Sequence, residues 1–234
     1  MSSPEFCCLP TLIGSLPGSN PTQACSLVLR FLKDMPAWPQ LPQRSFQESM
    51  YAQFSQGFPG LVVGDRKIYV DRAKFNGRSL ETLYTAYLNN DLDRFPVTRE
   101  YAAGLAEFLT HTDLTVKAVK GQITGPVSWG MTVTDGDGKA IAYDDVLADA
   151  AAKMLKLKAG WMERQLREIS KNTLIFIDEP YLHSIGSAFF NLSQEKITVW
   201  LNEVLSGIQG LKGIHCCGKT DWPLVLKTND DRNF

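Results

Sequence analysis

The chain has 234 residues, of which 44% are hydrophobic and 21% are charged, and its formal net charge is −1. This size and composition predict a single globular domain over residues 1–234 with a sizeable core. The near-neutral charge does not favour nucleic acid or an anionic membrane as a partner, and no apolar run reaches the ~18 residues that a spanning helix needs. Five cysteines, an odd count, do not predict a disulfide framework, so a cytoplasmic location is expected.

The first half of the chain mixes short apolar segments with amphipathic ones. Residues 11–15 predict a short buried strand that runs into a Gly/Pro loop. Residues 35–42 contain three prolines and allow a very short strand at most. Apolar positions at helical spacing predict helices, and one alternating segment predicts a hairpin. The helices span residues 20–33, 44–55, 80–88 and 101–108, and the hairpin spans 61–70.

The second half alternates strands and helices more plainly. Strands are predicted at residues 114–126, 173–178 and 210–217, and helices at 144–170 and 193–205. The acidic segment 135–138 lacks the later ligands of a calcium loop and is interpreted as a turn. The alternation predicts an α/β fold with a parallel sheet, either a β/α barrel or a doubly wound open sheet. No glycine-rich nucleotide motif occurs, which disfavours the nucleotide-binding versions.

Unusual polar groups stand at the C-terminal ends of the predicted strands, where parallel α/β folds build their sites. They are Gly14 and Ser15, Gln122 and Thr124, Asp178 and Glu179, and His215 with Cys217. Strand side chains alternate, so only one of Asp178 and Glu179 is expected to face a site. That carboxylate could hold an ammonium group or act as a general base, or the pair could cap the next segment. The segment 124–126 could equally be a plain turn.

A His-x-Cys pair closes the last predicted strand. If residues 214–217 finish that strand, His215 and Cys217 point to one side and Cys216 points to the other. Zinc accepts both imidazole and thiolate, so the pair would provide half of a zinc site. The alternative is a core histidine beside two buried free thiols.

Four motifs in one order resemble the catalytic barrel of cobalamin-independent methionine synthase. Its superfamily includes corrinoid methyltransferases and uroporphyrinogen decarboxylase. The motifs are Ile13-Gly14-Ser15-Leu-Pro, Lys120-Gly-Gln-Ile-Thr124-Gly-Pro-Val, Ile177-Asp178-Glu179-Pro and His215-Cys-Cys217-Gly. The resemblance implies a (β/α)8 TIM-barrel type of fold. It also implies a zinc-dependent methyltransferase, in which zinc holds a thiol such as homocysteine as the thiolate and a folate or a corrinoid donates the methyl group.

The resemblance also implies roles for individual residues. Ile13, Gly14 and Ser15 would meet the amino-acid part of homocysteine, and Asp178 would bind its ammonium group. His215 and Cys217 would be zinc ligands. The remaining candidates are Gln122 and Thr124 on the substrate side, Glu179 as a catalytic carboxylate beside Asp178, and Trp129 near the folate-side tryptophan of the family, at a shorter spacing.

Two departures limit these expectations. The further zinc ligands of the family lie well downstream, whereas the 17 residues after Cys217 contain no Cys, His or Glu, and their only acids are Asp221, Asp230 and Asp231. About four convincing strands, with a possible fifth at residues 38–41, fall short of the eight that a closed barrel requires. We therefore expect an incomplete barrel that is short at its C-terminus and covers its open edge by forming a homo-oligomer.

Three functions are open at this point. The first is methyl transfer to a small-molecule thiol, with a corrinoid protein as a possible donor because no second barrel is fused to the chain. The second is a shortened, non-catalytic member that binds a ligand or only self-associates. Porphyrin decarboxylation ranks last, because the loop after Ser15 has no arginine before Arg30 to meet the substrate's carboxylates.

Overall fold

The computed structural model describes residues 8–64, 66–187 and 190–228. The helices are α1 (Pro21–Phe31), α2 (Gly77–Leu88), α3 (Ala103–Phe108), α4 (Pro126–Thr132), α5 (Asp145–Arg167), α6 (Gln194–Leu205) and α7 (Trp222–Lys227). The strands are β1 (Leu61–Gly64), β2 (Lys67–Val70), β3 (Val119–Thr124), β4 (Thr134–Asp135), β5 (Thr173–Asp178) and β6 (Leu211–His215). Short 3-10 helices lie at Phe46–Glu48, Leu92–Arg94, Ile141–Tyr143 and Pro180–Ser184.

Polar caps begin the helices close to where the sequence predicts them. The Asn20 side chain accepts from the Gln23 amide before α1, and Ser193 accepts from the Lys196 amide before α6. Asp144 accepts from the first-turn amides of α5 at 3.0 and 3.1 Å. Such caps satisfy amides that the helix itself leaves without partners.

The helix predicted over residues 44–55 is wrong. A single 3-10 turn forms there and stops at Ser49, whose ψ of 150° is extended. Local side-chain bonds then compete with helical ones, because the Ser55 hydroxyl donates to the Ala52 carbonyl at 2.7 Å. The side-chain amide of Gln53 points away from the segment and donates to the Tyr101 carbonyl at 2.8 Å.

The central sheet consists of β3, β5 and β6, all parallel and in that order. Thr124 is the register partner of Asp178, and Asp178 is the partner of His215, so three strand ends lie side by side. Two isolated parallel bridges continue the series, Ala37 with Lys120 and Ser15 with Gln40. The two short strands predicted before residue 42 are therefore present only as bridges.

A second small sheet contains the predicted hairpin, β1 and β2 in antiparallel register, with β4 parallel to β2. Asp65, which separates Gly64 from Arg66 in the sequence, lies outside the described residues. The turn predicted at residues 135–138 is confirmed, because the Asp135 carboxylate accepts from the amides of Asp137 and Lys139.

The main core lies between the central sheet and α5. Ile123, Ile175 and Ile177 are fully buried on one face of the sheet, where Met162 and Leu166 of α5 lie against β3. The opposite face carries Lys120 and Gln122, which are also buried. The fold is thus mixed α/β with two small open sheets, and the residues described do not close an eight-stranded barrel. None of the described helices combines the length and apolar character needed to cross a membrane.

Candidate functional site

The candidate site lies where the parallel strands end. The register places Thr124, Asp178 and His215 next to one another on the same face of the sheet. The bridge between Ser15 and Gln40 brings the turn at residues 13–15 to the same region. Thr124 is buried, and its hydroxyl has no hydrogen-bond partner in the part of the chain described. A buried polar atom without a partner is unfavourable, and this one lies at the strand end where the other candidate residues meet.

Asp178 and His215 form the central pair. The Nδ1 of His215 lies 3.1 Å from the Oδ1 of Asp178, and the side chains are 25% and 9% exposed respectively. Burial raises the pKa of Asp178, while the charges of Lys120 and His215 act against that rise. The His215 Nε2 makes no hydrogen bond to any described residue. A histidine held by a carboxylate at one nitrogen can use the other as a proton acceptor or a metal ligand.

Lys120 lies on the same face, deeper in the sheet, and is fully buried. Its ammonium donates to the Ile13 carbonyl at 2.9 Å and to Gln122 Oε1 at 3.3 Å, and it lies 4.7 Å from the Phe176 ring centroid. Burial lowers its pKa to about 8, against the opposing effect of Asp178. The sequence motif contains Lys120, but sequence reasoning assigned it no role. The sequence does contain a signal for it: Lys120 alternates with Gln122 and Thr124 in a predicted buried strand, which places all three side chains on the same face.

The 13–15 turn is held by backbone bonds on both sides of Gly14. The Gly14 carbonyl accepts from the Gln40 amide, and the Leu16 amide donates to the Gln40 carbonyl, both at 2.9 Å. Gly14 has a φ of +146°, and a Cβ there would lie 2.4 Å from the Gln122 side-chain nitrogen. Only glycine suits this position. The Gln122 amide in turn donates to the Trp38 carbonyl at 3.0 Å.

Glu179 takes no part in this group and points instead to the start of α4. It is fully buried and accepts from the amides of Val127 and Ser128 at 2.9 and 2.7 Å, and from the Ser128 hydroxyl at 2.5 Å. Burial raises its pKa to about 7, and the three hydrogen bonds oppose the rise. Its position is that of a helix cap supplied by the neighbouring strand end.

Trp129 lies in the core of the molecule. The side chain is fully buried, and its ring meets Phe58 edge-on with centroids 4.9 Å apart. Its indole nitrogen donates to the Tyr51 carbonyl at 3.0 Å. This is the environment of a packing residue.

The expectation that residues 214–217 finish a strand is wrong, since β6 ends at His215. β5 ends at Asp178, the register partner of His215, so the two following cysteines have no strand beside them. Cys217 is exposed, while Cys216 is partly buried and packs against the core. The alternation argument for His215 and Cys217 therefore does not apply.

The described residues do not complete a zinc site. No group of three or more His, Cys, Asp or Glu side chains within them is placed to hold a metal ion, and catalytic zinc normally takes three protein ligands. Asp221 accepts from the Leu224 amide and from Gln194 Nε2. Asp230 and Asp231 lie outside the described residues. His215 alone has the carboxylate support typical of a zinc ligand.

A cavity of about 620 Å³ opens between the hairpin sheet and the end of α4. Three aromatic rings line it, those of Phe46, Tyr51 and Tyr69, together with Arg66 and Lys67 of the hairpin. Burial raises the pKa of Tyr51, and Tyr181, Glu179 and Cys217 are close enough to raise it further. Its lining contains none of the candidate site residues themselves. Sequence reasoning did not find the cavity, because its lining comes from distant segments.

Comparison with known proteins adds no assignment, because no family model, curated protein or solved structure matches the chain.

Proposed function

We propose that the chain binds a small amino-acid thiol such as homocysteine and transfers a methyl group to it, as a methionine-synthase-like methyltransferase. One observation carries the proposal: the Asp178–His215 pair and the 13–15 turn lie at the same edge of the central sheet. The two groups are complementary to the two ends of an amino acid.

The carboxylate group of the ligand is proposed to bind to the 13–15 turn. The carbonyls of Ile13 and Gly14 are occupied by Lys120 and Gln40. Three hydrogen-bond donors on the turn bind no other described residue: the backbone amides of Gly14 and Ser15 and the Ser15 hydroxyl. These donors can therefore bind an anion. Asp178 supplies the negative charge for the ammonium end.

The thiol group of the ligand is proposed to lie beside the Nε2 of His215. Its Nε2 can accept the thiol proton while Asp178 stabilises the resulting imidazolium, or it can bind a metal ion. The proton transfer to His215 leaves a thiolate, which is the nucleophilic form of sulfur; a metal ion held by His215 would supply the same activation. The thiolate then attacks the methyl carbon, so that a sulfur–carbon bond forms as the bond between the methyl group and its donor breaks.

Zinc remains part of the proposal, and His215 and Cys217 would be two of its ligands. We expect about one zinc per chain in the presence of homocysteine, whose thiolate adds a ligand. The double variant His215→Ala, Cys217→Ser should lose it, and Cys216→Ser should retain it. Zinc content after removal of loose metal is the measurement. Parent protein without zinc would refute the zinc assignment.

The methyl donor is proposed to reach the site through the 620 Å³ cavity. That volume suits a folate-sized molecule. The aromatic rings suit a planar ligand, and Arg66 and Lys67, which outnumber the single carboxylate of Asp135 in the lining, suit an anionic one. A corrinoid would instead be presented by its carrier protein at the mouth of the site. Methyl-transfer assays with methyl-folate and with methylcobalamin discriminate the two, and activity only with methylcobalamin would contradict use of the cavity.

We also propose that the parallel strands and bridges of the central sheet are the first five strands of a β/α barrel. The parallel series runs in chain order through residues near 15 and 37–40 and then β3, β5 and β6. A barrel adds its strands in this order. The proposed location is the cytoplasm, where thiols stay reduced.

The second candidate is a non-catalytic member that binds the ligand or only self-associates. The specific observation in its favour is that no group of three or more His, Cys, Asp or Glu side chains among the described residues is placed to hold a metal ion. Calorimetric binding of homocysteine without methyl transfer from either donor would favour this candidate over the first.

A further inference from the structure

Lys120 is fully buried, and among the described residues its ammonium group bonds to no carboxylate. An ammonium group has three protons, and three groups surround this one: the Ile13 carbonyl, Gln122 Oε1 and the face of the Phe176 ring. Burying a charge is costly unless it is compensated. The local arrangement is thus built around this ammonium.

The bond to Ile13 fixes the orientation of the 13–15 turn. Ile13 lies at the surface, 107 residues before Lys120 in the chain. The Ile13 carbonyl is directed to Lys120 and the Gly14 carbonyl is bound by the Gln40 amide, so the two carbonyls that precede Ser15 are occupied. Release of the Ile13 carbonyl would place an oxygen where a ligand carboxylate is proposed to bind, and two acceptors repel each other.

We propose that Lys120 is the positioning and specificity-determining residue of the site, because its ammonium withdraws the Ile13 carbonyl and leaves the turn selective for a carboxylate. The choice of ligand rests on the proposed function. The effect of Lys120 on the turn does not.

Lys158 provides a matched control. It is also fully buried, and its ammonium also binds backbone carbonyls, those of Phe95 and Pro96 at 3.4 and 3.2 Å. Burial lowers its pKa as well, to about 7. It lies in α5, and among the described residues its ammonium group forms no hydrogen bond with the 13–15 turn. Comparing the two variants therefore separates the general effect of losing a buried ammonium group from the specific effect of losing that of Lys120.

The first experiment needs no ligand. Lys120→Met and Lys158→Met are compared by amide hydrogen exchange at Leu16 and Gln40, whose amides hold the turn. Lys120→Met should accelerate exchange at both by ~10-fold or more relative to the rest of the sheet, the effect of losing a charged hydrogen bond. Lys158→Met should not. Unchanged relative exchange in Lys120→Met would overturn the proposal. If that variant does not fold, Lys120→Gln replaces it, with a smaller expected acceleration.

The second experiment tests selectivity by calorimetry. The ligands are homocysteine and 3-aminopropanethiol, which lacks only the carboxylate. The parent and Lys158→Met should prefer homocysteine, and Lys120→Met should lose that preference by ~10-fold or more. Preference retained in Lys120→Met would overturn the specificity role. If the parent binds neither thiol, the proposed function fails, and the exchange experiment still decides whether Lys120 positions the turn.

Discussion

Glu179 illustrates how one carboxylate of a pair is used for structure while its neighbour faces the site. Residues 178 and 179 leave β5 in opposite directions, and the Glu179 side chain reaches the first amides of α4. Sequence alternation predicted that only one of the two would face the site. It could not indicate which, because the answer depends on where α4 begins.

Gly125 permits this capping arrangement, and its replacement gives a prediction at the residue scale. A Cβ on Gly125 would lie 2.1 Å from Glu179 Oε1, although the backbone there has an ordinary φ of −84°. Gly125→Ala should therefore lower the free energy of unfolding by about 2–3 kcal/mol, through overpacking and the loss of buried hydrogen bonds. Urea denaturation measures the change.

Gly136→Ala is the control for that substitution, because a Cβ there would meet nothing within 4 Å. Its effect should stay within about 0.5 kcal/mol. Equal destabilisation by the two variants would show that the Glu179 contact with Gly125 does not matter.

At the scale of elements, Glu163 joins α5 to the start of β6. Its buried carboxylate accepts from the amides of Gln209 and Gly210 at 2.7 and 2.6 Å and from the Thr173 hydroxyl at 2.8 Å. These bonds and that from Arg167 lower the pKa of Glu163 in spite of burial, which acts in the opposite direction and is the largest single effect. The long helix thereby fixes the position of the strand that carries His215.

Glu163→Ala should cost about 2–4 kcal/mol of unfolding free energy, because it leaves two amides and a buried hydroxyl without an acceptor. Relative to the parent, hydrogen exchange should accelerate more in β6 than in β3. Glu168→Ala, an exposed position at the end of α5, serves as the control and should change neither quantity. Exchange that rises equally in β3 and β6 would contradict the anchoring role.

The elements differ in how well the sequence predicts them, for physical reasons. α5 and β5 follow from local patterns, a long helical stripe capped by Asp144 and a short apolar run before Asp178. The end of β6 at His215 depends on the length of β5 beside it. The helix wrongly predicted at residues 44–55 is replaced by turns because the Gln53 side chain bonds to Tyr101, a contact 48 residues away.

The same distinction applies to the site. Asp178 and His215 were placed together by the rule that parallel strand ends meet at one edge of a sheet. The contribution of Lys120 depends on a carbonyl 107 residues away, which no local pattern indicates. Residues that act through distant backbone groups are therefore the part of a site that sequence reasoning misses.

At the scale of the whole molecule, the central sheet has an edge at β6. Among the residues described, β6 pairs with β5 alone. A groove of about 180 Å³ lies beside this edge, lined by Gly213 and Ile214 of β6 and by Trp222, Val225 and Leu226 of α7. Trp222 and Leu226 are 50% and 61% exposed. Exposed strand edges are sites of association, and apolar patches beside them favour the same outcome.

We therefore predict that the chain forms a homo-oligomer through this edge and that Leu226→Glu disrupts it, because burying an unpaired carboxylate in the interface is costly. Light scattering should give an oligomer for the parent and a chain mass of 26.1 kDa for the variant. Leu88→Glu introduces the same charge at an even more exposed leucine, 79% exposed on α2, and should leave the oligomer intact. Dissociation by both variants would point to charge repulsion in general, and a monomeric parent would mean that the β6 edge tolerates exposure to water.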